Sequence, residues 1–167
     1  AHEFVTLLEK TSLGNDVIFF AEFKKRLIKD LPTKVKRIQK LQIERQRILP
    51  FEEYKNNLEG SVRAAFYMGI RNRYNRSRKL NEIDDQRSAD FFFLREYCYA
   101  SMFRFNSKDE FNIPYGGISY NRKDFSIKVK RLYDGEMRER LINSSFNLGD
   151  FEKFLNGLNI IERSEEH

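Results

Sequence analysis

A mainly α-helical fold is predicted by three features of the sequence. Apolar residues recur at three- and four-residue spacing, Gly and Pro number only 8 and 3 in 167 residues, and capping residues precede several of the periodic stretches. The length fits one domain, residues 1–167, and rules out two large ones. A 40% hydrophobic and 14% aromatic content is enough for a packed core.

The elements follow in order. Asp16 can cap a helix over about 16–30 in which Val17, Phe20, Phe23, Leu27 and Leu31 recur. Pro32 disfavours helix at Leu31, so a second helix is expected to begin at Thr33. It would be basic and amphipathic, with Val35, Ile38, Leu41 and Ile48 between Lys34, Lys36, Arg37, Lys40, Arg45 and Arg47. Pro50 suits the start of a third helix, with Glu52 and Glu53 favouring its positive end. The run Arg71–Lys79 is either a solvated helix end or a contact for phosphates.

Ser88 can cap a dense run with Phe91, Phe92, Phe93, Leu94, Tyr97, Tyr99, Met102 and Phe103, expected to form the centre of the core. Between about 104 and 121 turn residues predict a short β-hairpin or irregular loop. A helix-prone stretch over about 126–141 follows, and Asp150 can cap a last helix with Phe151, Phe154 and Leu155.

Composition excludes several kinds of chemistry. His2 and His167 sit at the chain ends, so no interior histidine is available for a Ser/His/Asp set or a metal site. Carboxylate spacing does not call for Mg²⁺. One cysteine, Cys98, fits a reducing compartment, and the absence of a signal-like start or a long apolar run predicts a soluble, cytoplasmic protein with no membrane role. No G-x-G turn for a nucleotide cofactor occurs. The formal charge of +6 favours acidic partners.

Asn112-Ile113-Pro114-Tyr115 has the form of the loop by which amino-group methyltransferases hold a flipped base. Its wider setting, R-E-Y-C-Y-A-S-M-F-R-F-N-S-K-D-E-F-N-I-P-Y-G-G from Arg95 to Gly117, resembles the N-G-x-x-R-[FY]-N-x-x-G-x-F-N-[VI]-P-[FY]-G region of Dam-type DNA adenine methyltransferases. Phe66-Tyr67 through Ile70-Arg71 to Tyr74-Asn75 is similar to the family's Y-Y-x-x-R-x-x-[FY]-N segment, and 126–155 to the segment before its catalytic D-P-P-Y. This sequence has neither the F-x-G-x-G cofactor motif nor the D-P-P-Y. Asp109 stands in place of the family's turn Gly, and Ala100-Ser101 in place of its Asn-Gly.

The resemblance implies a helical DNA target recognition domain of a restriction-modification methyltransferase. Its partners would be double-stranded DNA and a methyltransferase catalytic domain. S-adenosylmethionine would be the cofactor of the complete enzyme, with no cofactor site or catalytic residue in this chain, which alone is expected to be inactive. It further implies that Arg104 reads a guanine, the alternative being an ion pair with Asp109 or Glu110. Tyr99 falls near an aromatic that intercalates at the flipped-out site, although its place in the dense apolar run favours the core. Asn106, Lys108, Asn112 and Pro114 belong to the contact loop, with turn geometry as their alternative role. Arg71, Arg73 and Arg76 are the candidate phosphate contacts. The competing reading is an autonomous basic helical module that binds RNA or another protein, in which case the polar residues of 95–117 would be packed scaffold.

Overall fold

The computed structural model describes residues 15–81 and 84–157, so the terminal histidines lie outside the described residues. The described residues form six α-helices and two short 3₁₀ turns, and no strand beyond isolated bridges. The helices are α1 (Val17–Glu44), α2 (Phe51–Lys79), α3 (Asp85–Tyr97), α4 (Phe125–Leu132), α5 (Gly135–Ile142) and α6 (Phe151–Gly157). The mainly helical class is as the periodicity predicts. The chain divides into two compact units, Ala1–Phe125 and Ser126–His167.

In the first unit α1 and α2 form a helical hairpin. Asp16 caps α1, its carboxylate accepting from the amides of Ile18 and Phe19 at 3.1 and 2.9 Å. The two helices expected on either side of Pro32 are one continuous helix. Proline removes one backbone donor and crowds the preceding turn. Here the Thr33 hydroxyl, expected to cap a new helix, instead donates to the Lys29 carbonyl at 2.7 Å within the same turn. Burial of Leu27 before the proline and Ile38 after it keeps both halves on one core face. The helix ends with Gln46 at φ 48° and the Arg47 amide reaching back to the Gln42 carbonyl at 3.1 Å.

Pro50 occupies the cap position of α2. Gly69, midway along, faces Phe19 of α1, and a Cβ there would lie 2.6 Å from the Phe19 ring. That glycine sets the close approach of the two helices. Their core is aromatic: Phe19 and Phe23 stack at 5.8 Å between ring centres, and Phe66 meets both edge-on.

α3 is capped by Asp84, whose carboxylate accepts from the Arg87 amide at 2.7 Å, and not by Ser88. Ser88 lies inside the first turn and donates to the Asp84 carbonyl. The run from Phe91 to Phe103 is less uniformly apolar in its surroundings than expected. Leu94, Tyr97 and Cys98 are buried, but so is Asp90, while Phe91, Tyr99 and Met102 are exposed. The helix ends at Tyr97, so residues beyond it leave the α3 core face.

The stretch predicted over 126–141 is two short helices, α4 and α5, separated by a turn at Tyr133–Asp134. Asp150 caps α6 through the amides of Glu152 and Lys153, as expected. None of the described side chains in the second unit is buried. No described helix is long and apolar enough to cross a membrane.

Candidate nucleic-acid interface

The segment from Cys98 to Lys123 returns across α2, and α2 presents a stripe of side chains to hold it. Tyr67, Arg71 and Asn75 are four residues apart and therefore lie on one helical face. The Tyr67 hydroxyl donates to the Ile113 carbonyl at 3.0 Å, deep in the protein. Arg71 Nη1 donates to the carbonyls of Asn112 and Ile113 at 3.1 and 3.2 Å. Asn75 makes a paired contact: its amide donates to the Phe111 carbonyl at 2.9 Å and its side-chain oxygen accepts from the Phe111 amide at 2.8 Å. One turn on, Arg78 pairs with Asp109 at 2.7 Å and lies 4.1 Å over the Phe105 ring, and Lys79 pairs with Glu110. The two segments that carry the family resemblance are the two halves of this clamp.

Burial raises the Tyr67 hydroxyl pKa and pushes that of Tyr115 up to about 12. Burial lowers that of Arg71. Glu110 is held below the usual carboxylate range by its hydrogen bond from Lys79.

The clamp fixes which way the loop faces. Phe105 bridges Phe111 in antiparallel register and Cys98 bridges Tyr115, the only pairing in the segment predicted as a hairpin or irregular loop. Phe111, Ile113 and Cys98 are buried. The alternating neighbours must point the other way. Asn112 and Pro114 are exposed, as are Arg104 opposite Asn112 and Tyr99 opposite Pro114. The Tyr99 amide donates to the Pro114 carbonyl at 2.9 Å, fixing that second pairing. Four of the predicted contact residues are therefore exposed around two isolated bridges rather than along a continuous ladder.

The five-residue turn between Phe105 and Phe111 is set by Asn106. Its side-chain oxygen accepts from the amides of Lys108 and Glu110 at 2.9 and 3.0 Å, so it serves turn geometry. Lys108 is exposed at the tip. Ala100, Ser101 and Asp109 have φ of 52°, 52° and 56°. These are the positions where the resembling family has Asn, Gly and Gly. Left-handed backbone accounts for that preference.

Arg104 makes no hydrogen bond or ion pair among the described residues. Its two expected alternative partners, Asp109 and Glu110, are occupied by Arg78 and Lys79. Tyr99 is 55% exposed rather than in the core. The difference arises because α3 ends two residues earlier, and a left-handed pair at Ala100-Ser101 turns the chain outward.

Arg73 has a different setting from its neighbours in the basic run. Its guanidinium bridges Asp90 at 2.9 and 2.5 Å and Asp16 at 2.6 Å, with only 11% of its side chain exposed. It ties the start of α1 to α2 and α3. Burial pushes the Asp90 carboxyl above its usual range, opposed in part by Arg73. Arg76 is exposed on α2, and with Arg71, Asn75, Lys79 and Glu110 it lines a polar cavity of about 380 Å³. The sequence places Arg78 and Lys79 only within the basic run and gives Asn75 no contact of its own. The i, i+4 spacing of Tyr67, Arg71 and Asn75 was the signal for a shared face.

Among the glycines, Gly117 adopts φ 86° with open space beside it, whereas three others are closely packed. Gly60 and Gly69 are inside α2, and a Cβ at Gly116 would collide with the Tyr120 ring, so the space beside each is filled by the chain itself. Among the described residues no cluster of three His, Cys, Asp or Glu can hold a metal ion.

A helical clamp thus holds the loop with Tyr99, Arg104, Asn112 and Pro114 exposed, and the cations of the basic run lie on the same unit. Comparison with known proteins then gives the family. The profile of the D12 class N6 adenine-specific DNA methyltransferases matches residues 13–161, and the chain belongs to that family. It is 31% identical over 149 residues to the type II methyltransferase M.MjaIII of Methanocaldococcus jannaschii, a match covering 83% of this chain and 49% of the relative. The chain thus spans about half the length of that relative. No solved structure matches it.

Proposed function

We propose that this chain is the DNA target recognition part of a site-specific adenine methyltransferase of a restriction-modification system. A catalytic portion would bind S-adenosylmethionine and perform the transfer to the adenine amino group. The observation that carries this reading is the outward edge bearing Tyr99, Arg104, Asn112 and Pro114, with Arg104 exposed and unpaired. A guanidinium held ready without an internal partner suits bidentate donation to the two major-groove acceptors of a guanine. Lys108 at the turn tip and Arg76 beside the clamp would meet phosphates, while Arg71 holds the loop carbonyls. Arg73 and Asn106 act as scaffold. The family supports duplex DNA as the partner.

Binding of duplexes of different sequence, followed by fluorescence anisotropy, tests the reading. Arg104→Ala should cost about 1–3 kcal/mol on the preferred site and little on unrelated duplexes. An equal loss on every duplex would withdraw the base-reading role. The same measurements with RNA test the competing module reading, which requires RNA to bind at least as well as the preferred duplex.

A further inference from the structure

Just after the recognition loop the chain makes a 3₁₀ turn, Ile118–Arg122, that packs against the first half of α2. Gly60 makes room for it, since a Cβ there would lie 3.3 Å from Ile118 and 3.7 Å from the side-chain amide of Asn121. Asn121 is buried in that contact, at 9% exposure. A buried amide is costly unless its donor and its acceptor are both used. Here both are: Nδ2 donates to the Asn56 carbonyl at 2.9 Å, and Oδ1 accepts from the Tyr115 hydroxyl at 3.2 Å. Asn56 lies inside α2, and its carbonyl can accept a second donor. The Tyr115 ring also meets Tyr67 of α2, Tyr97 of α3 and Tyr120 of the turn, with ring centres 5.8 to 6.4 Å apart. Ring contacts tolerate sliding. A hydrogen bond to an amide that is itself tied to a helix carbonyl fixes the far end of the ring.

Pro114 stands between two such anchors. On one side the Ile113 carbonyl is held by Tyr67 and Arg71, and on the other Tyr115 is held by Asn121. The Pro114 carbonyl in turn accepts from the Tyr99 amide at 2.9 Å, so the pose of Pro114 carries over to Tyr99. Both residues are exposed. We infer that Asn121 is a positioning residue: through Tyr115 it ties the exposed pair Pro114 and Tyr99 to α2 and so sets the geometry with which the loop meets a base. What the loop meets rests on the proposed function; the tie itself does not. Asn121 and Tyr115 carry no charge, so their part is in discrimination between sequences and not in the salt-dependent attraction to phosphates.

The experiment compares the full 167-residue chain with Tyr115→Phe, Asn121→Ala and the double variant, each checked for folding by circular dichroism. Tyr115→Phe removes a single oxygen, so it tests the tie even should Asn121→Ala fail to fold. Hydrogen exchange at the Tyr99 amide reads loop positioning without DNA. It should quicken at least roughly fivefold in each single variant and little further in the double one, because the two side chains form one link, while amides of the α1–α2 hairpin keep their rates. Fluorescence anisotropy then reads discrimination. Each single variant should lose at least roughly fivefold on the preferred duplex and little on unrelated ones, with the salt slope unchanged. Unchanged Tyr99 exchange in the folded variants overturns the inference whatever the DNA result. So do losses that add in the double variant, an equal loss on every duplex, or no loss on a preferred duplex that wild type does distinguish. If Tyr99 exchange quickens as expected but wild type distinguishes no duplex sequence, base reading fails and the tie through Asn121 stands.

Discussion

Replacing Arg73 by methionine should unfold the protein far more readily than any other change in the basic run. The substitution keeps most of the side-chain volume but removes three charge-assisted hydrogen bonds, two to Asp90 and one to Asp16. Asp16 can be resolvated, since a fifth of its side chain is already exposed, and it keeps its cap of α1. Asp90 cannot: its side chain is 3% exposed, and Gln86 at 3.1 Å is the one other side-chain donor bonded to it. Breaking a buried pair from one side typically costs about 3–5 kcal/mol, a large part of the total stability of a small domain. Urea unfolding followed by circular dichroism measures it.

The sign with pH follows from the uncompensated carboxyl. Without Arg73 the folded-state pKa of Asp90 rises further above its unfolded value, so the favourable contribution of its protonated form is complete below the unfolded pKa. It is lost as pH rises through the folded one. The deficit of Arg73→Met should therefore shrink steadily as pH falls from neutrality into the ordinary carboxylate range. Converting both partners, Arg73→Met/Asp90→Leu, should recover all but about 1–2 kcal/mol, because an apolar pair does not carry the desolvation cost. A deficit under about 1 kcal/mol, or one that does not change with pH, would refute the buried-triad account. In folded Arg73→Met the salt slope of duplex binding should equal that of wild type. A drop of about 1 would restore Arg73 as a phosphate contact.

Asn75→Ala removes both bonds to the Phe111 backbone and should cost about 2 kcal/mol, with hydrogen exchange at the Phe111 amide rising far more than in the α1–α2 core. Ser101→Gly relieves a left-handed φ of 52° and should stabilise by about 0.5–1 kcal/mol in thermal melts, net of the added unfolded-state entropy; destabilisation would mean that the Ser101 side chain makes a contact of its own. With the pKa values of Tyr67 and Tyr115 raised by burial, their contribution is fully present below the ordinary tyrosine range and is lost as pH rises through the folded values. Ultraviolet titration should thus show late-ionising tyrosines, with unfolding setting in as pH approaches about 12, and a single ordinary titration step would contradict their burial.

Local chemistry determined much of this protein. The Asp16 cap, the helix after Pro50 and the cap at Asp150 are properties of a few consecutive residues, and each forms where the sequence puts it. The loop's resemblance also held structural content, since the family's Asn-Gly and Gly positions mark the three left-handed residues at Ala100, Ser101 and Asp109. Tertiary structure decided what the cations do. In the run from Arg71 to Lys79, Arg73 finds Asp16, 57 residues away, and Asp90, 17 away, whereas Arg71 finds loop carbonyls 41 and 42 residues on. Spacing within the run places these side chains on helical faces, but what each face meets depends on chain brought in from elsewhere. The same holds at Pro32, where burial on both sides of the proline outweighs its local preference for a break, and at Tyr99, which an earlier helix end turns from the core to the surface. Arg104 is left unpaired for a related reason: Arg78 and Lys79, distant in sequence, hold the carboxylates that sequence proximity would have assigned to it.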